Sequence, residues 1–207
     1  MSVQKAYDTW SSQYDTNDNR TRDMEALALP ETLAGIHFKT CLEIGCGTGK
    51  NTSWLLTKAN TITAVDLSNE MLAKAKEKIQ SAKVNFIQAD ILQEWDFVNT
   101  KYDLVSFSLV LEHIENLEPV FNRVSKVIAA TGHVYIGELH PFKQYAGSKA
   151  RFITAEGEQV VSCYNHHVSD FVQAAQKHGF KIVNINEYFD DDDRASIPRI
   201  LTMLLSK

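Results

Sequence analysis

The chain has 207 residues, of which 44% are hydrophobic, with ten Phe, seven Tyr and only four Pro. That composition suits one globular domain, which at this size removes roughly 70% of its unfolded surface from water. Basic residues number 21 against 26 acidic, a net charge of −5, and the lysines are scattered. No basic face is present to neutralise a row of phosphates, so nucleic acid is not an expected partner.

Residues 1–39 place Tyr7, Trp10 and Tyr14 at spacings of three and four, which on one helix puts the three rings on one face. This segment reads as a helical lid or an aromatic brace. From Thr40 the chain alternates short apolar runs with amphipathic stretches, the pattern of βαβ units around a parallel sheet. Strands are predicted over 40–45, 61–66, 84–90, 102–107 and 132–139, and helices over 51–59, 69–80 and 118–128, with Ser68 capping the second helix. Residues 140–163 break the periodicity. A helix over 168–178 stopped by Gly179 follows, then strands over 180–189 and 199–205, with the acidic run 190–193 between them as a solvated loop. The division expected is a single domain with an N-terminal extension (1–39), a ligand-binding core (40–139), and a loop with the C-terminal strands (140–207).

Cys41, Cys46 and Cys163 lack the paired short spacing of a zinc site or disulfide framework, and no metal is expected. The polar start of the chain and the lack of any apolar run approaching ~20 residues predict a cytoplasmic protein, neither exported nor membrane-spanning.

The segment richest in chemistry is Leu42-Glu43-Ile44-Gly45-Cys46-Gly47-Thr48-Gly49-Lys50, which leaves a strand and enters a helix. Glycines at alternate positions let the backbone turn tightly and approach a ligand, at the strand end where doubly wound sheets bind cofactors. A triphosphate loop would need Gly where Ile44 stands and Ser or Thr where Asn51 stands, so that reading fails. A dinucleotide loop would need its third Gly at Lys50. That spacing weakens a nicotinamide-dependent oxidoreductase without removing it.

The remaining pattern, Glu-x-Gly-x-Gly-x-Gly, resembles the class I S-adenosylmethionine-dependent methyltransferases of the small-molecule, type 11-like kind. The resemblance extends to Ala64-Val65-Asp66-Leu67-Ser68, Phe86-Ile87-Gln88-Ala89-Asp90, and Tyr102-Asp103-Leu104-Val105 followed by Leu111-Glu112-His113. It implies a Rossmann-like doubly wound α/β fold of seven strands in the order 3-2-1-4-5-7-6, the seventh antiparallel, with helices on both faces. It also implies S-adenosyl-L-methionine as cofactor and S-adenosyl-L-homocysteine as product, bound by Tyr14, Glu43, Gly45, Cys46, Gly47, Thr48, Gly49, Asp66, Leu67, Met71, Asp90, Ile91 and Ser108. Asp66 is expected to accept the ribose hydroxyls, Asp90 the adenine amino group with Ile91 covering the ring, and Glu43 to orient loop amides beneath the methionine moiety. Met71, at helical spacing, is equally a core residue.

Family members with a similar Trp-x-x-x-Tyr-Asp start, here Trp10 to Asp15, use that helix as a lid. Tyr7, Trp10 and His113 are therefore candidate substrate-binding residues. For proton removal the candidates are His140 and His166, each near neutrality as an unperturbed imidazole, with a structural or helix-capping role as the alternative. The expected acceptor is a small molecule and the expected assembly a monomer or homodimer. A sensor that binds S-adenosylmethionine without turnover is the non-enzymatic alternative.

Overall fold

Leu42, Ile44, Val65, Val105 and Phe107 are each at most 1% exposed, because the strands that carry them are covered on both faces, as parallel strands in α/β proteins are. The computed structural model describes residues 1–207. Strands β1 (Thr40–Ile44), β2 (Thr61–Asp66), β3 (Val84–Gln88), β4 (Tyr102–Ser108) and β5 (Ile128–Leu139) run parallel. A hairpin of β6 (Arg151–Thr154) and β7 (Gly157–Val160) stands apart, and β8 (Lys181–Tyr188) and β9 (Ile200–Ser206) complete the sheet in the order β3-β2-β1-β4-β5-β9-β8. β9 is antiparallel to both neighbours. Numbered by sheet strands alone, this is the expected 3-2-1-4-5-7-6. The order reverses between β1 and β4, which opens the ligand crevice of a doubly wound sheet at their carboxyl ends.

Strand alternation assigns the two faces. Leu42 and Ile44 pack with Phe121 and Val124 of α5 (Glu118–Val127) and Phe171 and Ala174 of α7 (Val168–Lys177). Cys41 faces the other way, with Leu29 of α2 (Arg20–Thr32), Leu55 of α3 (Lys50–Leu55) and Leu72 of α4 (Asn69–Lys78). Ser68 caps α4 as expected, its Oγ accepting the amide of Met71 at 3.1 Å. A third, smaller cluster joins Ala6 and Trp10 of α1 (Val3–Trp10) to Met71 of α4, to Phe152 of the hairpin and to Val161. It fastens the N-terminal segment over the crevice. No helix is long and apolar enough to cross a membrane.

Four local expectations are corrected. The N-terminal segment holds two helices, and Tyr14 lies in the turn after α1, so its ring joins Tyr7 and Trp10 through the turn, 6.2 and 5.0 Å away by ring centroid. Residues 140–163 contain α6 (Pro141–Tyr145) and the β6–β7 hairpin, too short and too exposed to leave a periodic signal. The strand predicted over 84–90 ends at Gln88, and Ala89 turns back to donate to the carbonyl of Asp66 at 3.0 Å. The acidic run is not wholly solvated either: Asp190 accepts both Nε and Nη2 of Arg199 at 2.6 Å and the Lys143 ammonium at 3.2 Å. These partners hold its carboxyl at about 2.

Candidate active site

The glycine loop leaves β1 beneath two other chain segments. Gly45 has φ +71°, and a Cβ there would run into Val110 Cγ2. Gly49 has φ +83° and forms the N-cap of α3, where a Cβ would lie 2.8 Å from Ile79 Cδ1. Asp66, at the end of β2, shapes this loop: one carboxylate oxygen accepts the amide of Gly47 at 2.8 Å and the other the amide of Ser68 at 2.8 Å. Burial raises its pKa while these amides pull the other way. Asp66 therefore both orders the loop and lines the cavity above it.

That cavity is walled by Val3, Tyr7 and Tyr14 from the N-terminal segment, by Gly45 and Gly47, and by Asp66, Leu67 and Met71. Asp90, Ile91, Ser108, Leu109 and His113 close its other side. Most of the lining is apolar, with carboxylates at two places where hydroxyls or an amino group of a nucleoside would be accepted. A smaller recess continues under the loop, lined by Glu43, Cys46 and Thr48 together with Arg22, Glu25 and Asn51. An apolar slot ending in two acids and opening into a polar recess matches a ligand with a nucleoside at one end and an amino acid at the other.

A family model described as a methyltransferase domain matches residues 42–136, which takes in the loop, Asp66, Asp90 and His113. Over that stretch, a little under half of its length, the chain is similar to methyltransferases. An uncharacterized methyltransferase of Emericella nidulans is 26% identical over 225 residues, covering 88% of this chain and 77% of that protein. A malonyl-[acyl-carrier protein] O-methyltransferase of Priestia megaterium is 30% identical over 60% of this chain, which spans 41% of that relative's length. In fold, the N-methyltransferase NodS of Bradyrhizobium japonicum, solved with S-adenosyl-L-homocysteine, superposes with a TM-score of 0.74 at 16% identity, over 100% of this chain and 99% of that one.

The residues expected to bind the donor are not equally placed. Tyr14, Gly45, Gly47, Asp66, Leu67, Met71, Asp90, Ile91 and Ser108 meet in the main cavity, and Glu43, Cys46 and Thr48 in the recess. Gly49 lines neither and serves the helix start instead. Glu43 does not orient loop amides; its Oε2 accepts the Thr52 hydroxyl at 2.6 Å, and burial raises its pKa to about 8. Thr48 reaches outward, donating its hydroxyl to Asp15 at 2.6 Å, while Lys78 sits 2.5 Å from the other Asp15 oxygen. Asp15 thereby latches the N-terminal segment to both the loop and α4.

Both catalytic histidine expectations meet a different arrangement. His140 is fully buried and caps α6: Nδ1 accepts the amide of Phe142 at 3.1 Å, so Nε2 carries the proton and faces Glu187 Oε1 at 3.1 Å. His166 donates Nε2–H to the carbonyl of Ile114 at 2.7 Å and packs against Phe171. Neither lines the donor cavity, because both rings serve the chain ends that frame it. His113 does line it. Its Nδ1 lies 2.8 Å from the carbonyl of Ser162, which can only accept, so Nε2 is the lone-pair nitrogen and receives the Tyr7 hydroxyl at 2.8 Å. Glu112, His113 and Cys163 bring ligand-type atoms within 4.8 Å of one another, but both imidazole nitrogens are already engaged.

Several groups at the site leave no sequence signal. Glu25 of α2 is 2% exposed beneath the loop, bonded to Asn51 at 2.8 Å and to the Tyr135 hydroxyl at 3.1 Å. Glu138 of β5 accepts the amides of Val110 and Leu111 at 2.9 and 2.8 Å, which fixes the turn carrying Leu109 and His113. Leu109 itself has φ +57°, a strained backbone of the kind held in place at functional sites. Trp10 stacks on Phe152 with centroids 5.1 Å apart and is 2% exposed. It touches a second, polar cavity instead of the donor cavity, alongside Tyr7, Tyr14, Leu109 and Glu112.

Proposed function

We propose that the chain transfers a methyl group from S-adenosylmethionine to a small-molecule acceptor bound in the polar cavity. The observation that carries this reading is the meeting of two cavities: Tyr7, Tyr14 and Leu109 line both the donor cavity and the polar one. A sulfonium methyl presented from one side therefore faces an acceptor entering from the other. The donor's nucleoside would lie between Asp66, Asp90 and Ile91 and its amino-acid end in the recess near Glu43. The polar cavity, about 360 Å³, has the dimensions of a small molecule and is walled by both the N-terminal segment and residues 148–151.

In-line displacement moves the methyl group to the acceptor atom and leaves a neutral thioether, so the protein's share is chiefly alignment, which can supply ~7–11 kcal/mol. If the acceptor atom carries a proton, Tyr7 and His113 are placed to take it: the acceptor's proton passes to the Tyr7 oxygen as the Tyr7 proton passes to His113 Nε2. Tyr7 then remains neutral throughout, in keeping with the burial that raises its pKa. Glu112, 3.9 Å from Nε2, favours the resulting imidazolium. The test is a screen of small-molecule pools with isotopically labelled donor. Label should enter an acceptor in the presence of the chain, and Tyr7→Phe should slow that transfer without weakening binding of S-adenosylhomocysteine. A chain that binds NADH and not S-adenosylhomocysteine would overturn the reading.

A further inference from the structure

The polar cavity has a charge pattern opposite to that of the chain. In a protein of net charge −5, its wall holds four cationic side chains, Arg20, Lys149, Arg151 and Arg199, against two acids, Asp18 and Glu112. They converge from four places in the fold: the start of α2, the turn before β6, β6 itself and the residue before β9. Of the two acids, Glu112 lies 3.9 Å from His113 Nε2, and one of its oxygens is buried with no hydrogen-bond partner.

The carboxylates that pair with the arginines are not part of this wall. Asp190 takes two N–H groups of Arg199 at 2.6 Å, Asp191 takes Arg20 at 3.1 Å, and Glu158 lies 3.5 Å from Arg151. A guanidinium has five N–H donors in a fixed plane, so these partners hold each group in position and leave donors over. Arg151 is further fixed by the carbonyl of Gly147 at 3.1 Å. Lys149 beside it is exposed and lies outside these ion pairs. Placed cations with donors to spare, next to the point where the methyl group emerges, suit a ligand with an anionic end.

We propose that the acceptor is a small molecule bearing a phosphoryl or carboxylate group, which Lys149 and Arg151 anchor while its reacting atom lies at Tyr7. This rests on the reading that the polar cavity is the acceptor side. Both anions share the chemistry the cavity offers, and the Arg199 and Arg20 guanidiniums complete the positive wall.

The experiment uses the full chain loaded with S-adenosylhomocysteine, titrated separately with inorganic phosphate, acetate and methylammonium. Amide shifts of residues 109–113 and 147–151 are followed by NMR, and affinity for S-adenosylhomocysteine is measured independently by calorimetry. One anion should produce saturable shifts in both stretches, and methylammonium none. Phosphate binding above acetate marks a phosphoryl group, and the reverse marks a carboxylate. The double variant Lys149→Ala, Arg151→Glu should lose at least about tenfold in anion affinity, given what removing a paired charge costs, while its affinity for S-adenosylhomocysteine stays within about twofold. Absence of anion binding to the loaded wild-type chain overturns the proposal, as does unchanged anion affinity in the double variant or tighter binding of methylammonium. Failure of S-adenosylhomocysteine itself to bind is a separate result: it removes the donor reading and this inference with it.

Discussion

The cavity proposed for the donor and the cavity proposed for the acceptor are built on different principles. The donor side is made of consecutive strand ends: Gly45 and Gly47 follow β1, Asp66 ends β2, and Asp90 lies just beyond β3. Each of these residues is positioned by the strand it ends or follows, so their spacing in sequence is also their spacing in space. The acceptor side has no such rule. It is assembled from residues near 7, 20, 112, 150 and 199, joined by contacts such as Trp10 on Phe152 and Tyr7 on His113. A site made of local segments is legible in sequence and tolerant of change elsewhere, whereas one made of distant segments depends on every clasp that holds it.

That contrast predicts where damage will be greatest. Deleting residues 1–16 should abolish methyl transfer, because it removes Tyr7 and Tyr14 from the cavity walls and the Asp15 latch from Thr48 and Lys78. The sheet should still fold, since the cut takes Ala6 and Trp10 from the smallest apolar cluster only. Circular dichroism and turnover together check this. A truncated chain with full activity would show that the segment is a brace and not a lid. In the intact chain, amide exchange over residues 3–20 should slow when S-adenosylhomocysteine is added, as ordering couples to binding.

Next in size is Gly45→Val. The φ of +71° and the encounter with Val110 Cγ2 should shift the loop, lower stability by ~1–3 kcal/mol and cost donor affinity at least about tenfold. Denaturant unfolding and calorimetry read the two effects separately. Asp66→Ala should weaken the donor by about 1–3 kcal/mol, because the amides of Gly47 and Ser68 lose their acceptor along with the ribose. Unchanged affinity would mean that the nucleoside lies elsewhere.

A pH effect belongs to the donor side. Burial raises Glu43 and Glu138 to about 8 from an ordinary value of 4.5. Between those values the folded chain binds more protons at these groups than the unfolded chain does. Their contribution to stability is therefore fully present below 4.5 and declines as pH rises toward 8, by up to a few kcal/mol in total. Glu43→Gln should flatten that decline in a Tm series from pH 5 to 8. A cationic sulfonium nearby favours the ionised forms, so affinity for S-adenosylmethionine should rise over the same range more than affinity for the neutral thioether product. The smallest effect is expected at His140→Ala, where loss of the cap on α6 costs ~0.5–2 kcal/mol of stability and leaves donor affinity unchanged. A large loss of donor affinity there would erase the distinction between the residues that frame the crevice and those that line it.

The amino-acid sequence alone determined the succession of strands and helices, the glycine turn and the acids at the ends of β2 and beyond β3, while the strand order came only with the family resemblance. Short apolar runs, closely spaced glycines and strand-end carboxylates are local properties that survive in one dimension. The same locality explains where sequence and structure part. His140 and His166 carry the right side chain at loops near the crevice, yet which ring faces the ligand depends on Phe142, Glu187 and Ile114, partners that no spacing reveals. Glu25, Glu138 and Glu112 are buried carboxyl groups inside or beside amphipathic runs, and only the folded chain shows what lies against them. Tertiary structure alone decided that Tyr7 meets His113 across 106 residues and that Arg20, Lys149, Arg151 and Arg199 share one wall. Contacts between distant segments are set by how whole elements pack, and packing is a property of the folded volume, not of the order of residues along it.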